Sequence, residues 1–135
     1  MPIREVHFAR HVVDSLLSYS KMAYPNEGIL LLRGKRKKGV AEVTGVMIPP
    51  AAVHARAYSS FNWWMVPIDM TYLGIAHSHP SGNANPSQED LLHASGGLMV
   101  IMGYPYANES CLGVFDKDGN RIPFYVNERD TPNVK

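Results

Sequence analysis

Cysteine is nearly absent from the sequence: Cys111 is the only one among 135 residues. A single thiol excludes an intrachain disulfide and any zinc site built on paired thiolates, including the His/Cys/Cys site of nucleoside deaminases. The low cysteine content is typical of a reducing compartment. A chain of this length can bury enough apolar surface to fold without disulfides.

The sequence also lacks a strong net charge and a long apolar run. Thirteen Lys and Arg oppose twelve Asp and Glu, so the formal net charge is +1 and supplies no general field toward nucleic acid or anionic lipid. No stretch reaches the roughly 18 apolar residues that span a bilayer. Residues 1–7 carry charges of both signs, unlike a secretory signal. We expect a cytoplasmic protein without membrane or nucleic-acid partners.

Hydrophobic residues make up 45% of the chain and charged residues 19%, which is typical of a globular protein. We predict one domain over residues 1–127 and a frayed tail over 128–135. Apolar periodicity and turn residues predict helices at about 6–22 and 87–95. They also predict six strands, at 27–34, 40–48, 71–76, 98–103, 111–116 and 121–126, with the last two joined by a turn at 117–120. The fold class is α/β or α+β, with a mixed, mostly antiparallel sheet flanked by two or three helices.

Two segments allow several interpretations. Residues 49–69 are bracketed by prolines and contain the aromatic stretch Phe61–Met65, which predicts an insertion. That stretch could line a groove for an extended peptide, pack internally or form a homodimer contact. The basic turn at Lys35–Lys38 could attract an acidic partner or RNA, although such a turn is more often a solvated hairpin tip.

A histidine pair follows the predicted strand at 71–76. At the end of an extended strand, residues i and i+2 project to the same face, so His77 and His79 can direct both imidazoles at one point. Two histidines need at least one more protein ligand to hold a divalent metal. An isolated His-x-His is more often a pair of partly buried or surface histidines.

Asp90 supplies the missing carboxylate. It lies in the first turn of the predicted second helix, where the macrodipole favours a negative charge, and the loop after His79 can fold that turn back over the strand end. Two histidines, one aspartate and a water make an open, tetrahedral zinc site. Ser87 and Asp90 alone would instead indicate an ordinary helix start, with Ser87 as the cap.

Hydrolysis at such a site also needs a group that takes a proton from water. Glu27 begins a buried apolar strand that could run beside the strand ending at His77, which makes it a candidate general base. Spacing alone does not establish that the strands are neighbours. Taken by itself, Glu27 could equally be a solvated carboxylate at a strand end.

Together these residues resemble the motif of the JAMM or MPN-type metalloproteases. That motif is a distant Glu followed by His-x-His, seven residues, Ser, two residues and Asp. Here Glu27, His77, His79, Ser87 and Asp90 match it without a gap. The order of the elements and the length are also similar to those of a minimal prokaryotic or archaeal member, so the resemblance covers nearly the whole chain.

The resemblance implies a cytidine-deaminase-like JAMM/MPN fold and a zinc-dependent hydrolase of isopeptide or peptide bonds. The substrate it implies is the C-terminus of ubiquitin or a ubiquitin-like modifier. Zn²⁺ would be bound by His77, His79 and Asp90, Glu27 would be the general base, and Ser87 would donate to the oxyanion. Two alternatives stay open: trimming of a sulfur-carrier protein tail, and a non-catalytic, zinc-containing scaffold that recruits a protein partner.

Overall fold

A computed structural model describes residues 2–49, 71–87, 90 and 97–128. Among these residues, one α-helix, α1, spans Arg10–Ala23, and a short 3₁₀ turn spans Glu109–Cys111. Seven strands surround them in chain order: β1 (Glu5–Ala9), β2 (Ile29–Lys37), β3 (Val40–Met47), β4 (Tyr72–His79), β5 (Leu98–Gly103), β6 (Leu112–Asp116) and β7 (Phe124–Asn127).

The strands form one mixed sheet in the order β6-β5-β4-β2-β3-β1-β7. β1 pairs in parallel with β3 and β7, and β4 pairs in parallel with β5. The other three pairs, β2 with β3, β2 with β4, and β5 with β6, are antiparallel. The α+β class is confirmed. The predicted count of six strands and the mostly antiparallel character are wrong, because a seventh strand adds two parallel pairs.

The seventh strand lies where the sequence predicted the start of the first helix. Residues 5–9 form β1, and α1 begins only at Arg10. Phe8 and Val12 have helical spacing, but Val6 and Phe8 have strand spacing as well, and both are buried. Residues 5–9 form a strand because they pair with β3 on one side and β7 on the other, and such tertiary contacts override a weak local preference.

The last predicted hairpin is also corrected. Sequence turn signals at 117–120 predicted that the strands at 111–116 and 121–126 pair with each other. Instead β7 pairs with β1 at the other end of the strand order, and only an isolated bridge joins Phe115 to Arg121. A local turn pattern cannot indicate a partner strand this distant in sequence.

Several predictions fall on residues outside the described ranges. They are the insertion with its aromatic stretch Phe61–Met65 and most of the second helix, of which Asp90 is helical. The described residues therefore contain one full α-helix, whereas two or three were predicted. The basic residues Lys35 to Lys37 lie in β2 rather than in a turn, and the β2–β3 turn is confined to Lys38 and Gly39.

The two faces of the sheet differ. Alternation along β5 places Leu98, Val100 and Met102 in the large core beneath α1, whereas Met99 and Ile101 join Phe115 in a smaller cluster on the opposite face. α1 contributes Val12, Val13, Leu16 and Leu17 to the large core. β4 is buried over most of its length, including His77, and only His79 at its C-terminal end is partly exposed.

Candidate active site

The end of β4 places both histidines on the sheet face opposite α1. His77 pairs in register with Ile101 of β5, whose side chain belongs to the smaller cluster on that face. His79 follows two residues later, and the two imidazole ring centroids are 4.9 Å apart. His77 is fully buried, and the side chain of His79 is 13% exposed. The strand thus brings the pair together as its spacing predicted.

Asp90 completes the cluster. Its Oδ1 lies 3.3 Å from His77 Nε2, and its Oδ2 lies 3.2 Å from His79 Nε2. The ligand atoms of the three residues all lie within 4.8 Å of one another, close enough to share one ion. Two imidazole nitrogens and a carboxylate oxygen are ligand types of catalytic zinc, and three protein ligands leave one tetrahedral position open. The donor set therefore fits zinc.

The protonation states of His77 and Asp90 suit a metal as well. Burial lowers the pKa of His77 to about 4, even though the Asp90 carboxylate favours the charged ring. Burial also acts against the charged form of His79, but hydrogen bonds to Asp90 and to the Asn83 carbonyl raise its pKa overall. Burial opposes ionisation of Asp90, yet hydrogen bonding to His79 and the charge of His77 lower its pKa. A neutral His77 and an ionised Asp90 are the ligand forms that bind a cation.

His79 is oriented by a contact that the sequence did not reveal. Its Nδ1 lies 2.6 Å from the carbonyl oxygen of Asn83, so Nδ1–H donates and Nε2 faces Asp90. The side chain of Asn83 accepts hydrogen bonds from Asn85, and Arg121 donates to Asn85 at 2.8 Å. Because Asn83 acts on His79 through its backbone carbonyl, its residue type carries no signal for this role.

Strand pairing places Glu27 at the same site. Ile29 lies opposite His77 in the antiparallel β2–β4 pair, and the Ser78 N–H donates to the Gly28 carbonyl at 3.0 Å. The Gly28 N–H in turn donates to Ser78 Oγ at 2.8 Å. Continuing this register puts Glu27 opposite His79, where directly opposed residues share a face. Glu27 is half-buried, and its charge acts on His79.

Ser87 is hydrogen-bonded to Asp90 in both directions. The Asp90 N–H donates to Ser87 Oγ at 3.1 Å, and the Ser87 N–H donates to Asp90 Oδ2 at 2.7 Å. This reciprocal pair is a capping box with aspartate in the third position. It holds the carboxylate that faces the histidines, while the exposed Ser87 hydroxyl keeps its own hydrogen for another acceptor.

The family follows from comparison with known proteins. A model for prokaryotic homologues of the JAB domain matches residues 9–112. The chain belongs to this JAB family. A protein from Haloferax volcanii described as a probable metalloprotease is 36% identical over 121 residues, which cover 84% of this chain and 74% of that protein. Membership of a metalloprotease family agrees with the cluster of His77, His79 and Asp90.

Solved structures share the JAB fold. A JAB1/MPN domain protein from Archaeoglobus fulgidus has a TM-score of 0.69 and 27% identity, covering 90% of this chain and 99% of that one. A structure described as a metalloprotease-like JAMM zinc site in the proteasome and signalosome has a TM-score of 0.66 and 24% identity, covering 95% and 100%. None of the helices in the described parts of the chain is both long and apolar enough to cross a bilayer.

Proposed function

We propose that the protein is a zinc-dependent hydrolase that cleaves a peptide or isopeptide bond at the C-terminus of a ubiquitin-like protein. The observation that supports the chemistry is the cluster of His77, His79 and Asp90 with Glu27 in register beside it. The substrate class rests on the resemblance to JAMM metalloproteases. The site residues are proposed in the same roles: three metal ligands, a general base and an oxyanion donor.

The side chains divide the reaction between them. When bound, zinc would supply a Lewis acid that polarises the scissile carbonyl and lowers the pKa of a coordinated water to about 7. Glu27 takes a proton from the attacking water and later gives it to the leaving amine as the C–N bond breaks. Ser87 Oγ donates its hydrogen to the oxyanion, and the Asn83 carbonyl holds His79 in the tautomer that presents Nε2.

Zinc-loaded protein should be incubated with ubiquitin-like proteins that carry a C-terminal extension, and the products weighed by intact mass. We expect release of the extension at the modifier's C-terminus. Glu27→Gln is the matched variant, because it keeps the size of the side chain and removes its ability to accept a proton. Its turnover should fall by on the order of 100-fold to 10,000-fold while its zinc content stays the same.

The experiment also separates enzyme from scaffold. A scaffold that holds zinc for stability has no use for a base, so the wild type and Glu27→Gln would then behave alike and neither would release a product. Cleavage of a sulfur-carrier protein tail, with ubiquitin-like fusions left intact, would keep the zinc chemistry and replace the substrate class.

A further inference from the structure

Exposed apolar side chains gather next to Glu27. Among the described residues, five large apolar side chains are exposed, and only Tyr125 on β7 lies elsewhere. The other four are Met22 (82% exposed), Ile48 (52%), Tyr104 (47%) and Tyr24 (46%). Single exposed apolar residues are ordinary, but a contiguous group of them marks a binding surface.

Three of these side chains, Met22, Tyr24 and Ile48, line a cavity of about 340 Å³ next to the C-terminal end of α1 and the residues that precede β2. Tyr19 and Glu27 belong to the same lining. The volume is at the small end of the range for ligand sites, ~300–1,000 Å³, and suits a short piece of peptide rather than a folded surface.

Glycine at position 28 makes room for the inner wall of this cavity. A Cβ on Gly28 would lie 2.6 Å from Cε2 of Tyr19, so only glycine lets the tyrosine ring lie this close to β2. The same Gly28 hydrogen-bonds Ser78 between the two metal-binding histidines. The cavity wall and the metal cluster are therefore attached to the same pair of strands.

The outer wall is attached to the site as well. The rings of Tyr24 and Tyr104 stack with centroids 4.8 Å apart. The Tyr104 N–H donates to the carbonyl of His79 at 3.2 Å, so the aromatic pair is fixed to the residue that faces Glu27. The cavity and the metal cluster thus share Glu27, which lines the cavity and continues the register opposite His79.

We propose that this cavity binds the residue on the amine side of the scissile bond and favours a large apolar side chain there. This inference rests on the proposed function. Glu27 must reach the leaving nitrogen to protonate it, so the substituent on that nitrogen is the part of the substrate nearest to Glu27. The cavity that shares Glu27 is the space in which that substituent fits.

The lining determines which side chain is favoured. Apolar contact comes from Tyr19, Met22 and Ile48, Asn26 adds one amide, and Glu27 is committed to proton transfer. A Leu or Phe side chain would occupy more of this space than Ser and would remove its own apolar surface and part of that of Met22 from water. A Ser at the same position would leave more of the cavity unfilled and would bury little apolar surface.

The test is a set of fusion substrates that differ only in the first residue after the scissile bond: Ser, Leu or Phe. For the wild type we expect kcat/KM to be on the order of 10-fold to 100-fold higher for Leu and Phe than for Ser. Met22→Ser and Ile48→Ser should reduce that ratio. Tyr125→Ser, which changes an equally exposed side chain on β7, should keep both the ratio and the rates. Equal rates for all three substrates would overturn the proposal.

A binding measurement separates this proposal from the proposed function. Short peptides that begin with Leu or with Ser, and are otherwise identical, are added to the zinc-loaded protein while the methyl resonance of Met22 is followed by NMR. We expect a shift with the Leu peptide alone, and none in Ile48→Ser. If no fusion is cleaved but this shift is seen, the cavity stands and the hydrolase function fails.

Two further outcomes count against the cavity as a substrate site. If Met22→Ser and Ile48→Ser convert a dimer into a monomer in sedimentation, the surface is a contact between two copies of the chain. If both variants lower the melting temperature and leave the substrate ratio unchanged, the protein's own chain covers the surface. Either result replaces the proposed occupant.

Discussion

The two faces of β4 and β5 have different roles: one packs into the large core and the other carries the metal-binding histidines. Toward α1, Ala76, Val100 and Met102 are buried in the large core. On the opposite face, His77 lies beside Ile101, and His79 continues the row to the end of the strand. Alternation along a strand makes this division, because successive side chains point to opposite sides.

We expect the fold to be stable without the metal, because its core does not depend on the metal ligands. Among the described residues, the α1 face contains most of the buried apolar side chains; the site face buries fewer, namely Ile29, Leu31, Ile75, Met99, Ile101 and Phe115. A zinc finger folds only with its metal because it has little other core. Here the large core lies on the face opposite the metal ligands, so we expect that each can be disrupted separately.

The largest effect should come from removing two ligands on the site face. We expect the double variant His77→Ala, His79→Ala to lose its zinc and all measurable turnover, yet to keep the far-ultraviolet circular dichroism of the folded protein. His7→Ala is the control, since His7 lies on β1 and contacts Glu5 instead of the cluster. One equivalent of zinc retained by the double variant would contradict the ligand assignment.

A substitution on the α1 face should lower stability and leave zinc binding unchanged. Leu16 on α1 is completely buried in the large core. Leu16→Ala should lower the free energy of unfolding by about 2–5 kcal/mol, through lost burial and the cavity it leaves. Urea unfolding checks this, with Ser18→Ala on the exposed side of α1 as the control. Zinc bound per folded molecule should not change; a parallel loss of zinc would show that the two faces are coupled.

The two faces also differ in how well the sequence predicts them. The spacing of His77, His79 and Asp90 is short and local, so one strand and one helix start bring them together, as predicted. The position of Glu27 needed a strand pairing that spacing could not supply, and the β2–β4 register provides it. β1 was missed because residues 5–9 suit a strand or a helix, and the choice depends on β3 and β7.

Ser87 has a role in the fold and a proposed role in the chemistry. Ser87 caps the chain at Asp90 and is the proposed oxyanion donor. Ser87→Ala should lose roughly 1 kcal/mol of stability and on the order of 100-fold in kcat. Ser87→Asp should keep the cap, because Asp caps as well as Ser, and be nearly inactive, because its charge repels the oxyanion.

Thermal melting and turnover of a fusion substrate distinguish the two roles of Ser87. Zinc content must be measured alongside, since an added carboxylate could bind the metal. Full activity in a stable Ser87→Asp protein with one zinc would limit Ser87 to capping.

The smallest effect on stability should come from Asp116, at the end of β5 and β6 that is farther from the site. In the register of β5, Gly103 lies beside His79 at one end, and Leu98 lies beside Asp116 at the other. Burial opposes ionisation of Asp116, but hydrogen bonds from Asn120 and from the Asp118 N–H lower its pKa. Because the folded-state pKa is below the unfolded value of about 3.9, the stabilisation is present above that pH and is lost as the pH falls through the folded-state value.

Asp116→Asn should therefore cost on the order of 1 kcal/mol or less at neutral pH, where the turn is partly exposed to solvent. The difference in Tm between this variant and the wild type should shrink below about pH 4, because the wild-type carboxyl then becomes neutral too. Taking the difference cancels the titration of the other carboxylates. Zinc affinity at neutral pH should be the same in both proteins. A Tm difference that stays constant down to pH 2 would show that the charge of Asp116 does not stabilise the turn.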